Sequence, residues 1–289
     1  MLTAVREAWR PLRSQWLGEA VLLSVEDRVV RGLALRRGSI STPAWETLLP
    51  GQALVQGMPE LVEVLGDFLG DLLLSQGLIG QSVRLALPPQ AAHWRVISWP
   101  LSDWPDDPIE ALRTIDPDLG LPFALSDAAI DLQPLPGQPL RSLLVAAPKA
   151  LVAAWSEVFA IVGSPLERVL ASQVCVRQAL LPRLHACEPR SGVLLLDQCG
   201  ASLTASLWRQ GVPLYERLFE AQDPDLGLKL EQVVAFYRSS DPAFCLRELW
   251  TSAELPQLQP LAGALGACLE QLESSPYVSL VMQGLVQAQ

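Results

Sequence analysis

The chain has 289 residues, half of them hydrophobic, with 21 Lys and Arg against 31 Asp and Glu and a formal net charge of −10. That length holds roughly two domains, and the acid excess excludes a nucleic-acid partner, since no basic stripe is present to neutralise phosphates. No apolar run reaches the ~20 residues of a membrane span. Charges at Arg6, Glu7 and Arg10 interrupt any signal-peptide core, so the sequence predicts a cytoplasmic protein without membrane insertion.

Taken in chain order, residues 1–17 read as a short amphipathic lead-in, with Val5, Trp9, Leu12 and Trp16 at helical steps and Pro11 interrupting. Segments 20–25 and 29–36 alternate like a hairpin around Glu26-Asp27-Arg28, and a third strand is predicted over 39–42. The spacing of Leu61, Leu65, Phe68, Leu69 and Leu72, opposite Glu60, Glu63, Asp67 and Asp71, predicts a helix over 59–75. Strands follow at 82–87 and 94–99. The block 100–139 is dense in Pro and Asp, with Ile130-Asp-Leu-Gln strand-like inside it. A buried strand over 141–146, a helix over 149–162 and a second helix over 172–184 come next.

Residues 193–219 then read as three strands joined by turns at Cys199-Gly200 and Gln210-Gly211. The rest is a helix over 228–237, a strand over 246–251, a helix over 255–272 and an apolar stretch over 278–286. The order strands-then-helix recurs in two halves. This recurrence predicts two five-stranded mixed sheets flanked by helices, with a small α+β unit inserted in the first half. Cys175, Cys187, Cys199, Cys245 and Cys268 show no CxxC pairing, and only His93 and His185 could join them. They predict neither a metal site nor a disulfide framework, but isolated thiols.

An apolar strand ending in Asp197, a turn at Gly200 and a hydroxyl at Ser202 is the way an actin-like ATPase domain opens a phosphate loop. The same residues also suit a plain three-stranded meander whose Asp caps a turn. Three further segments bear on the choice: Arg84-Leu-Ala-Leu-Pro-Pro with Trp94-Arg-Val-Ile-Ser-Trp-Pro, Leu121-Pro-Phe through Asp131-Leu-Gln, and Ser142-Leu-Leu-Val-Ala-Ala-Pro-Lys149. With 193–207 they cover roughly residues 80–220, and in that order and spacing they resemble the PilM family of actin-like type IV pilus assembly proteins. The likeness to the FtsA cell-division family is more distant.

The resemblance implies an α/β fold of the actin-like, duplicated ribonuclease H-like kind. Residues 1–91 and 166–192 would form the first half, 92–165 the inserted α+β subdomain, and 193–289 a shortened second half. It also implies a nucleotide site, whose residues have departed from the pattern. Ser24 stands where the first phosphate loop has Asp, and Glu26 and Asp27 place negative charge beside it. Ser252-Ala253-Glu254 replaces the paired glycines of the adenosine side. The glycine of the second phosphate loop, Gly200, is one place late. Asp197, Gly200 and Ser202 are thus what remains of a cofactor site, and loss of ATP and Mg binding is expected, without enzyme activity.

The partner implied is the cytoplasmic N-terminal tail of a PilN-like inner-membrane protein, with pilus motor ATPases beyond it. The groove would lie between the inserted subdomain and the first sheet, with Trp94, Trp99 and Trp104 as candidate anchors and core packing as the competing reading of those rings. An acidic protein favours a tail carrying Lys or Arg beside its apolar anchors. The protein would be held at the inner-membrane face through that partner. The alternatives are an active ATPase or small-molecule kinase resting on Asp197 with Ser202 or Thr204, and a GspL-like secretion component. The latter implies a membrane helix after the domain, and none precedes Gln289.

Overall fold

A computed structural model describes residues 19–26, 28–100, 103–116, 119–135, 140–199, 202–253, 258–273 and 279–288. The amphipathic lead-in lies outside them. The described residues up to Ser172 form one compact unit, and those from Gln173 to Ala288 form another.

In the first unit, β1 (Glu19–Glu26) and β2 (Val29–Arg36) are the predicted hairpin, continued by β3 (Ser39–Ile40) and β4 (Trp45–Leu48). A small hairpin, β5 (Leu54–Val55) with β6 (Met58–Pro59), leads into α1 (Val62–Ser75) and β7 (Ser82–Leu87). Strands β8 (His93–Ser98), β9 (Ala128–Leu135) and β10 (Arg141–Pro148) follow, with helix α2 (Pro108–Ile115) between the first two. Helix α3 (Lys149–Val162) and strand β11 (Leu166–Ala171) complete the unit.

The main sheet runs β11-β7-β1-β2-β3, with β4 also on β2. It is therefore six-stranded rather than five-stranded. β1 is central, antiparallel to β2 and parallel to β7, which explains why it is apolar on both faces and buried along nearly its whole length. A separate antiparallel sheet, β8-β10-β9, is drawn wholly from residues 93–148. Its core gathers Ile97, Trp99, Leu112, Leu119, Leu144 and Ala146. Helix α2, unforeseen inside the Pro- and Asp-rich block, starts where Asp107 accepts hydrogen bonds from the backbone N–H groups of Ile109 and Glu110, with Pro108 at its first position.

The second unit opens with α4 (Ser172–Ala186), then the predicted three strands β12 (Ser191–Cys199), β13 (Ser202–Arg209) and β14 (Val212–Glu220). Helix α5 (Leu226–Ser240), β15 (Cys245–Thr251), α6 (Leu258–Leu265), β16 (Cys268–Gln271) and α7 (Leu280–Gln287) follow. The sheet order is β14-β13-β12-β15-β16, with the last three strands parallel.

Two expectations change here. The helix predicted over 255–272 is α6 alone, because the chain turns at Gly266 (φ +68) and continues as β16. Helix α4 belongs with the second unit and not with the first half. Its Arg177 Nε donates to the Gly211 carbonyl at 2.8 Å, and its Cys175 backbone lies against Gly284 of α7.

Candidate functional site

The first phosphate-loop position is a packed interior. Ser24 faces Arg31 across β2 and Ala86 across β7, is 1% exposed, and its Oγ has no hydrogen-bond partner. Glu26 is also buried, and its carboxylate is ion-paired with Arg31, whose Nε reaches Glu46 Oε2 at 2.5 Å. Of the two acids expected to place negative charge here, Glu26 is thus accompanied by a guanidinium. Asp27 lies outside the described residues.

The second loop and the adenosine-side segment meet within the second unit. Asp197 ends the buried part of β12, and Ser252 follows the neighbouring parallel strand β15. Ser252 Oγ donates to Asp197 Oδ1 at 2.5 Å and accepts from the Gln198 N–H at 3.1 Å, while the Ser252 N–H bonds the Leu196 carbonyl at 3.1 Å. Ala253 is 1% exposed and packs into the core of this unit. Ser202 begins β13, paired with Cys199, so it stands on a strand. Gly200 lies outside the described residues. The structure thus joins Asp197 to Ser252 through a hydroxyl–carboxylate hydrogen bond.

A cleft of about 390 Å³ opens elsewhere, wholly within the first unit. One wall is β11, which among the described residues pairs only with β7 and is an edge strand of the main sheet. An edge strand leaves alternate N–H and C=O groups without ladder partners. A register shift between Leu166 and Arg168 bends this edge. The opposite wall is the small sheet, through Ala129 and Asp131 of β9 and Val145 and Ala147 of β10, and α3 adds Val152 and Ser156. Glu167 is tied to Arg84 at 3.1 Å. Burial pushes its carboxyl up, but the hydrogen bond and charge of Arg84 outweigh that and hold it below the usual carboxylate range.

The three tryptophans do not act together. Along β8 alternate residues face opposite sides, and Ile97 and Trp99 face the core of the small unit. Trp99 is 3% exposed, donates its Nε1–H to Ser142 Oγ at 3.0 Å and meets Trp104 edge-on at 5.5 Å. Trp99 is therefore a core residue and no anchor, and Trp104 packs against the same core. Trp94 lies on the other face, directly across from Val145 of the cleft wall.

The residues that sequence reasoning missed are those of β11. Leu166-Glu-Arg-Val-Leu-Ala has charges mid-segment and no alternation. The available signal was Gly163-Ser164-Pro165, which ends α3 and leaves six residues before α4.

No protein-family model matches the chain, and no curated protein matches it in sequence. Solved structures do. A chain of a PilM-PilN type IV pilus biogenesis complex is similar over 92% of this chain and 97% of its own, at 17% identity and a TM-score of 0.73. A Bacteroides thetaiotaomicron protein with an actin-like ATPase fold is similar over 94% and 97%, at 11% identity and a TM-score of 0.58. The cytoplasmic domain of EpsL, an inner-membrane component of the Vibrio cholerae type II secretion system, is similar over 93% of both chains, at 14% identity and a TM-score of 0.53. At these identities the likeness speaks for the fold, and at that level the resemblance to PilM read from the sequence holds: the chain has the α/β actin-like fold.

Proposed function

We propose that this chain is a non-enzymatic assembly factor that binds the extended N-terminal tail of a PilN-like inner-membrane protein in the cleft between β11 and the small sheet. One observation carries the reading: β11, an edge strand among the described residues, faces a largely aliphatic wall that also holds Asp131, across a cleft of about 390 Å³, within the size range of ligand sites. A peptide added to β11 would gain backbone hydrogen bonds, while its alternate side chains enter the cleft. Two similar folds, one from a PilM-PilN complex and one from an inner-membrane secretion component, favour the same class of role. The tail would recruit the chain to the cytoplasmic face of the inner membrane, where it would couple the membrane complex to motor ATPases. Among the described residues no helix is long and apolar enough to cross a membrane.

The test uses a fluorescein-labelled peptide of the first 20 or so residues of a PilN-like single-span membrane protein. Val169→Asp puts charge on the apolar edge, and Ala129→Trp fills the opposite wall. Each is expected to weaken binding at least about tenfold, since burying one aliphatic anchor contributes about 1.5–3 kcal/mol. Undiminished binding by two folded variants would place the partner elsewhere.

We further propose that nucleotide binding is lost. Ser24 stands in place of the first carboxylate, Ser252-Ala253 in place of the paired glycines, and the remaining Asp197 is already hydrogen-bonded by Ser252. Calorimetry with millimolar MgATP is expected to give no saturable heat. Micromolar binding, lost in Asp197→Ala, would overturn this reading in favour of the ATPase alternative.

A further inference from the structure

One carboxylate of the cleft wall lies outside its ion pairs. Glu167 is held by Arg84, and Arg168 is engaged in contacts of its own. Asp131 is exposed on the cleft wall, and its hydrogen bond is a long one from Gln133 Nε2 at 3.5 Å. Among the described residues no ion pair reaches it.

The register of the small sheet places Asp131 of β9 opposite Val145 of β10, and Val145 opposite Trp94 of β8. Cross-strand partners share a face, so carboxylate, isopropyl group and indole form one row, of which Asp131 and Val145 line the cleft and the half-buried Trp94 lies beside it. Neighbouring strands are about 4.8 Å apart, so roughly 10 Å separates the two outer backbones. An ammonium or guanidinium lying over Val145 would be within ion-pair reach of Asp131 and within about 6 Å of the Trp94 ring. The stem of a long basic side chain would meanwhile cover the valine.

Building on the cleft reading above, we infer that Asp131, Val145 and Trp94 form a cation-selecting row, which requires one Lys or Arg at a fixed place beside the apolar anchors of the bound peptide. Asp131 sets the charge, Val145 receives the stem, and Trp94 discriminates a cation from a neutral polar group. This role for Trp94 needs neither Trp99 nor Trp104.

The experiment is a selection of phage-displayed random 12-residue peptides on the full chain, followed by anisotropy titrations of the best synthetic peptides. Wild type is expected to enrich peptides that align on an apolar run with one basic position. Replacing that basic residue by Gln should weaken binding about tenfold, and raising the salt to 0.5 M should shrink the difference. Asp131→Asn and Trp94→Leu should keep the apolar run but lose the basic preference, which supports the row. An apolar run without a basic position on wild type, or the same basic preference on Asp131→Asn, overturns the row and leaves the cleft standing. Peptides that bind undiminished to Val169→Asp and Ala129→Trp, or no enrichment at all, overturn both.

Discussion

Gly284→Ala is expected to destabilise the second unit by about 3 kcal/mol. A Cβ at this position would stand 1.8 Å from the Cys175 carbonyl oxygen and 2.3 Å from its carbon. Both are backbone atoms of α4, so no rotamer change relieves the overlap and α7 must move as a body. That helix has little freedom to do so, since Leu280, Val281, Met282 and Leu285 are buried around the glycine and Ser279 caps the first turn by accepting from the Met282 N–H at 3.2 Å. Gly263 in α6 supplies the control. Nothing lies within 4 Å of a Cβ there, so Gly263→Ala should be neutral, or stabilising by up to about 1 kcal/mol through helix propensity. Urea unfolding of the two variants separates the cases. Equal midpoints would show that α7 is not seated on α4.

Long elements with a strong pattern were legible. The apolar stretch ending in Asp197, the hairpin of β1 and β2 and the heptad-like spacing of α1 each state their structure locally, because burial on one face or both leaves a visible periodicity. Short parallel strands at sheet edges were not. β11 and β16 have six and four residues, and an edge strand makes half the contacts of a central one, so its composition is weakly constrained. Helix α2 was readable in principle from Asp107-Pro108, but the surrounding prolines masked the cap. The site suffered most from this. The residues at the expected loop positions could be named in advance, since each is a residue type at an expected place. What a tryptophan does depends on which strand face it occupies, and the alternation of β8 separates Trp94 from Trp99 only once the core is known.

Trp155→Ala is expected to remove about 3–5 kcal/mol of stability and to disable the cleft with it. Helix α3 is the cleft's third wall, through Val152 and Ser156, and its other face is buried through Leu151, Trp155, Val158, Phe159 and Val162. Trp155 is fully buried, stacks on Phe159 with centroids 6.1 Å apart, and donates its Nε1–H to the Gly57 carbonyl at 3.0 Å. That acceptor belongs to the Gln56-Gly57 turn between β5 and β6, where both residues have positive φ and a Cβ on Gly57 would meet Ala91 at 2.5 Å. The indole therefore ties the back of α3 to a turn that has no freedom to follow it. Alanine leaves a cavity and an unpaired buried carbonyl, whereas phenylalanine leaves only the carbonyl, costing about 1–3 kcal/mol. Stability by urea titration should fall in the order wild type, Trp155→Phe, Trp155→Ala. At a temperature where all three are folded, affinity for the tail peptide should follow the same order, because a displaced α3 shifts Val152 and Ser156 against β11. A Trp155→Ala protein within 1 kcal/mol of wild type, or one that binds the peptide as tightly, would show that the wall is held in place by something other than this anchor.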